Sequence, residues 1–132
     1  MKLYENDAVC LSLDETVPCL EWKGKKFLSS EEFRESEEKS LQYYAQSKER
    51  YPHLGWFVDA RHVGAVSPQD TQWVAKEILP RFATLGLKKE AFVVQSNVLG
   101  QMTVQTYESQ AGQIIEIGMY DSEADAKRWL KS

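Results

Sequence analysis

Asp59, Arg61, His62 and Ser67 fall within a single nine-residue stretch and bring together an acid, a fixed cation, an imidazole and a hydroxyl. Three chemistries are open to that set. An aspartate and an arginine two residues apart form a local ion pair that fixes a loop, or receive an anion through the guanidinium fork. A serine, a histidine and an aspartate are the parts of a nucleophilic trio, provided the base lies within hydrogen-bond reach and is itself oriented. A serine at a helix start is a phosphorylation candidate, because a dianion is favoured there. Ser67 is first of all a helix cap, and no nucleophile-elbow motif surrounds it, so the hydrolase reading ranks last and the phosphorylation reading second to capping. Gln69, Gln72 and Trp73 extend the group by a helical turn. The resulting patch of Asp59, Arg61, His62, Ser67, Gln69, Gln72 and Trp73 would suit an anionic ligand or a partner protein, although core packing is the favoured reading of Trp73.

Other chemistry is thin. The seven glycines are scattered, and none opens a phosphate-binding loop of the Gly-x-x-x-x-Gly-Lys-Ser/Thr form. His53 and His62 stand far from Cys10 and Cys19 and show no metal-ligand spacing, so no metal and no cofactor is expected.

These residues must be carried by a strand, a loop and a helix. Trp56 to Ala60 is uniformly apolar up to Asp59 and reads as a central strand covered on both sides. In an open α/β sheet the carboxyl ends of the strands are where ligands are met. Ser67-Pro68-Gln69-Asp70 is a helix start, with serine as N-cap and proline in the first turn. Trp73, Val74, Ile78, Phe82 and Leu85 recur at helical spacing up to Gly86, and the interior Pro80 predicts a kink near Lys76 to Leu79.

Around this unit, Ala8–Leu13 and Val17–Trp22 alternate as a β-hairpin. A tight turn at Asp14-Glu15 would set Val9 opposite Leu20, Leu11 opposite Pro18 and Cys10 opposite Cys19. Val9, Leu11, Leu13, Leu20 and Trp22 then share the apolar face, and the two cysteines are read as reduced thiols. Lys26-Phe27-Leu28 could add a short extended piece. Ser29 with Glu32, or Ser30 alone, caps a helix to about Glu49 that buries Phe33, Leu41, Tyr44 and Ala45, with the charge run Glu31 to Lys39 as its solvated face. Glu90–Val94 is a second buried strand, Val98 to about Ala111 a helix with Val98, Met102 and Tyr107 or Thr106 inward, Ile114–Met119 a last strand, and Asp121-Ser122-Glu123 the cap of a final helix with Ala126, Trp129 and Leu130.

With 132 residues, 42% of them hydrophobic and 27% charged, the chain is read as one α/β domain, residues 1–132. Its opening hairpin is followed by β-α units whose right-handed crossovers make the later strands parallel, about five strands in all. A net charge of −4 gives no electrostatic reason to bind nucleic acid. No run approaches the roughly 18 apolar residues of a membrane span. The acids of Met1 to Asp7 do not suit a signal peptide, and a cytoplasmic location is expected.

The order of elements, with Val58-Asp59-Ala60-Arg61 ending one strand and Ala91-Phe92-Val93-Val94 forming the next, resembles the SpoIIAA-like, or STAS/SEC14-like, domain. Leu20-Glu21-Trp22-Lys23-Gly24, Gly86-Leu87-Lys88-Lys89 and Tyr120-Asp121-Ser122-Glu123-Ala124 look like its stand-alone bacterial members. The resemblance implies a non-catalytic regulatory or protein-interaction domain. It also implies, from its SEC14 side, an alternative role as carrier or sensor of a small lipophilic or anionic ligand. In the family's anti-sigma-factor antagonists the loop after this strand carries a phosphorylated Asp-Ser-Ser/Thr-Gly motif. Here Ser67 stands at the aspartate and Pro68-Gln69-Asp70 at the rest, so no hydroxyl matches the phosphorylated position. A partner would dock on Arg61 to Gln72, and a lipophilic ligand would occupy a cavity lined by Trp73, Phe82, Met102 and Tyr107. Edge strands of the sheet make a homodimer reasonable.

Overall fold

Apolar and polar residues alternate along β2 (Val9–Asp14) and β3 (Cys19–Gly24), and the two strands pair antiparallel in a computed structural model that describes residues 1–95 and 98–132, apart from the side chains of 98–102. Val9, Leu11, Leu13, Leu20 and Trp22 form the inner face, as their spacing predicts, and all are buried. The register differs from the expected one. Val9 lies opposite Gly24 and Leu11 opposite Trp22, a displacement of four residues from the Leu20 and Pro18 of a tight turn. Pro18 has no N–H to give to a ladder and stays in the connection. There the Asp14 carboxylate accepts the amide and the hydroxyl of Thr16 at 2.9 and 2.6 Å. Cys10 is consequently opposite Lys23 and Cys19 opposite Asp14. Four residues of strand, about 13 Å, separate the two cysteines, so they do not form a cross-strand pair. Both thiols are free.

A strand that the alternation does not reveal, β1 (Lys2–Glu5), pairs antiparallel with β2 and makes the sheet six-stranded rather than five. Only Leu3 and Tyr4 are half-buried there, between exposed Lys2 and Glu5, as suits an edge guarded by charge. The strands then run in chain order, β1-β2-β3-β4-β5-β6, antiparallel in the first three and parallel from β3 onward.

The connection at Lys26-Phe27-Leu28 is not a strand, and it leads directly into α1 (Ser30–Ser47). Ser29 and Glu32 form a reciprocal capping box, with bonds of 3.1 and 3.0 Å. β4 (Gly55–Asp59) is buried along its whole length. The helix after it comes in three segments, α2 (Pro68–Trp73), a π-helical turn (Val74–Ile78) and α3 (Leu79–Thr84). The Leu79 amide reaches back to Val74 O. The wider turn takes up the missing donor and the ring of Pro80, so the expected disturbance takes this form. β5 (Lys89–Val93), α4 (Val98–Ala111), β6 (Glu116–Tyr120) and α5 (Glu123–Lys131) complete the chain. β6 begins later than the apolar run, because Ile114 is exposed outside it. Tyr107 rather than Thr106 points inward from α4, while the expectations for Val98 and Met102 fall on side chains outside the described residues.

Strands laid down in sequence by crossovers of one hand keep their helices on one side. α1, α2, α3 and α4 cover one face, where Trp56 stacks on Phe82 at 4.2 Å and Tyr44 donates to Leu54 O at 2.7 Å. α5 alone covers the other, with Ala126 and Leu130 packed near Cys19, Phe57, Ala91 and Val93.

Candidate functional site

Strand alternation separates the residues singled out at the end of β4. Trp56 and Val58 face the four-helix layer, so Asp59, like Phe57, belongs to the α5 face. There Asp59 holds Arg61 in a two-pronged ion pair, Oδ1 to Nε at 2.9 Å and Oδ2 to Nη2 at 2.7 Å, and also accepts the Arg61 amide. Burial pushes the Asp59 carboxyl up, but the bonds from Arg61 and the nearby charges of Arg61 and Lys23 outweigh it and hold the group below its ordinary range. The pair fixes the loop.

Ser67, Gln69, Gln72 and Trp73 lie on the helix packed against the opposite face. The Ser67 hydroxyl accepts the Asp70 amide at 3.1 Å, so it is engaged as the N-cap. Asp70 is itself buried and accepts Ser30 Oγ and Arg34 Nε, both at 2.8 Å, which ties α1 to α2. The Arg34 guanidinium lies 4.7 Å from the centre of the half-buried Trp73 ring. Gln69, Gln72 and His62 are exposed. Among the described residues no hydrogen bond joins His62 to Ser67, and no group of three or more His, Cys, Asp and Glu is placed to hold a metal.

The structure instead assembles a cavity of about 70 Å³ between the sheet and its helical layer. Trp22, Val58 and Phe92 form its floor, Phe33 and Val74 its sides, and Gly64, Val66 and Thr103 the more exposed rim. Two carboxyl groups and a phenol belong to its walls: Glu37 from α1, Glu90 from β5 and Tyr107 from α4. Glu90 is 2% exposed and accepts the Tyr107 hydroxyl at 2.8 Å. Burial pushes it well above the ordinary carboxyl range, the Tyr107 bond offsets part of that, and Glu37 adds to it. Glu37 is 6% exposed, and its Oε2 has no hydrogen-bond partner among the described residues. Burial, with a contribution from Glu38, pushes its carboxyl up to about 8. Glu37 is therefore held mostly protonated at neutral pH, and burial favours the protonated form of Glu90 as well.

The solvated face expected for the charge run Glu31 to Lys39 is thus interrupted. Glu31, Glu35 and Glu38 are exposed, while Glu37 falls on the buried stripe with Phe33, Leu41 and Tyr44. Helical spacing does put Glu37 four residues after Phe33 and four before Leu41. Strand alternation puts Glu90 on the face of Phe92. Those two signals were available in the sequence, but the meeting of Glu37 with Glu90 was not. Among the described residues, Tyr107 alone of the expected cavity set lines the cavity. Phe82 is taken up by Trp56 and Tyr44, Trp73 lies under Arg34, and the Met102 side chain is outside the described residues.

The α5 face also collects acids, around a cation. Lys127 Nζ contacts Asp14, Glu21 and Glu123, the first at 2.7 Å. Burial lowers the ammonium's proton affinity, but the three carboxylates outweigh it and raise it above the ordinary lysine value.

Among the described residues no helix is long and apolar enough to cross a membrane. Comparison with protein-family models, with curated proteins and with solved structures returned no match.

Proposed function

We propose that this chain is a cytoplasmic carrier or sensor of a small lipophilic ligand, built on a STAS/SEC14-like scaffold, that holds its ligand without transforming it. The observation that carries this reading is the cavity under α1 and α4, mostly apolar, with the carboxyl oxygen of Glu37 unpartnered in its wall. Leaving a buried polar group unpaired costs about 1–3 kcal/mol, which an occupant that pairs with Glu37 would recover. Two carboxyl groups in the wall favour a lipophilic occupant over an anionic one. Engagement of Ser67 as a helix cap favours holding over hydrolysis.

Native mass spectrometry of the protein purified gently from its own host tests the proposal. A small molecule retained under native conditions and lost on denaturation is the expected result; a bare polypeptide mass overturns it.

A second reading, a protein-interaction module, has an observation of its own. Phe27 is 71% exposed and lines a groove with Leu28, Ala65 and Val66, next to the cavity rim. In this reading Arg61→Ala or Gln72→Ala abolishes capture of the partner while folding stays intact; unchanged capture by both variants removes it.

A further inference from the structure

The carrier reading leaves open which chemistry the cavity selects, and its walls are informative on that point. Among the described lining residues there is no Lys, Arg or His. The polar groups facing Glu37 are Glu90 on β5 and Tyr107 on α4, with Glu38 beside it on α1, and none of them is basic. Glu90 is committed to the Tyr107 hydroxyl. Among the described residues Glu37 Oε2 is left as an acceptor without a partner, in a wall made mostly of apolar side chains. Trp22, Phe33, Phe92 and Tyr107 supply aromatic rings around it, and ring faces attract cations.

Resting on the carrier reading, we propose that the cavity takes an organic amine, bound as an ammonium against the Glu37 carboxylate, with its apolar part among the aromatic walls and any remainder leaving past Gly64 and Val66. The proton balance is simple. An alkylammonium arrives, and Glu37 releases its proton to solvent. Equally, a neutral amine arrives and takes that proton. Either way no covalent bond between heavy atoms changes, and the product is one ammonium–carboxylate pair. Glu37, protonated before binding, and the ammonium–carboxylate pair that replaces it are both neutral. An ion pair buried in this way is tolerated when each charge meets its partner directly. A carboxylate or phosphate ligand would find two acids and no cation. An alcohol could share a hydrogen bond with Glu37 but would form no ion pair.

Calorimetric titration of the full chain at neutral pH with n-butylamine and n-butanol, and with benzylamine and benzyl alcohol, tests this. Each amine should bind at least about tenfold tighter than its alcohol, since charge-assisted hydrogen bonds are roughly twice as strong as neutral ones. Glu37→Gln, close in shape to the protonated acid, should abolish that preference and leave the alcohols unaffected. Alcohols binding as tightly as amines would overturn the amine proposal and leave the carrier reading standing. An amine preference that survives Glu37→Gln would also overturn it. No binding of any probe in the millimolar range would overturn both. If Glu37→Gln does not fold, the amine-to-alcohol ratio of the unaltered chain decides alone.

Discussion

On the face under α5, Asp14, Glu21 and Glu123 converge on the single ammonium of Lys127, whereas on the face under α1 and α4, Glu37 and Glu90 share a cavity whose described walls hold no cation. Both groups are acids brought together by the same sheet, yet they answer burial in opposite ways. Under α5 a cation lies within contact distance of all three carboxyls. Asp14, which burial alone would raise, is held down at about 2 by its bonds from Lys127 and Thr16. In the cavity burial instead favours the protonated carboxyl at both Glu37 and Glu90. The lesson is that the acids under α5 are explained by the fold itself, since they tie the last helix to the hairpin. In the cavity Glu90 ties β5 to α4 through Tyr107, whereas Glu37 Oε2 has no partner among the described residues and so points to an occupant.

The comparison can be broken most severely at Lys127. Lys127→Met strands three carboxylates around a group that is only 17% exposed in its side chain. It should lower the free energy of unfolding by about 2–3 kcal/mol, somewhat under the cost of breaking a fully buried pair. Urea denaturation at neutral pH reads this, and a loss below about 0.5 kcal/mol would show that solvent already screens the cluster.

The pH dependence of stability should have opposite signs on the two faces. Glu37 keeps its proton in the fold up to about pH 8 and loses it near its ordinary 4.5 when unfolded. The native state therefore holds the extra proton between those values, and stability falls as pH rises through that window. Glu37→Gln removes this dependence and should recover on the order of 3 kcal/mol at pH 8 relative to pH 5. Asp14 acts in reverse. Its contribution is present above its ordinary 3.8 and is lost as pH falls toward 2. Denaturation midpoints measured across pH would separate the two, and identical profiles for Glu37→Gln and the unaltered chain would refute the assignment to Glu37.

The smallest effect belongs to the Asp59–Arg61 pair. Arg61 is 37% exposed in its side chain, so Arg61→Ala should cost under about 1 kcal/mol. Thermal melting checks this, and a larger loss would make the pair part of the core rather than a loop fastener.

What could be read from the chain alone is what neighbours in sequence decide. The Ser29–Glu32 box, the Ser67 and Ser122 caps and the disturbance before Pro80 are all satisfied within a turn or two of backbone. The inward faces of β2 and β3 were equally legible, because alternation has a period of two. For the same reason their register was not. A displacement by four residues leaves the same side chains inward, so the pattern cannot distinguish Val9 opposite Leu20 from Val9 opposite Gly24. The choice fell to Pro18, excluded from the ladder, and to the loop that Asp14 closes around Thr16. The candidate site divides along the same line. Asp59, Arg61 and Ser67 were visible because they adjoin one strand end, and the fold gives each a local partner. Glu37 was concealed in a run of charges, since a helix shows which of its acids is buried only when a neighbour packs over it. Glu90 and Tyr107 meet it through β5 and α4, elements whose positions depend on the order of the whole sheet. Tertiary packing alone placed the two carboxyls in one cavity, because the cost of burying them depends on surroundings contributed by distant parts of the chain.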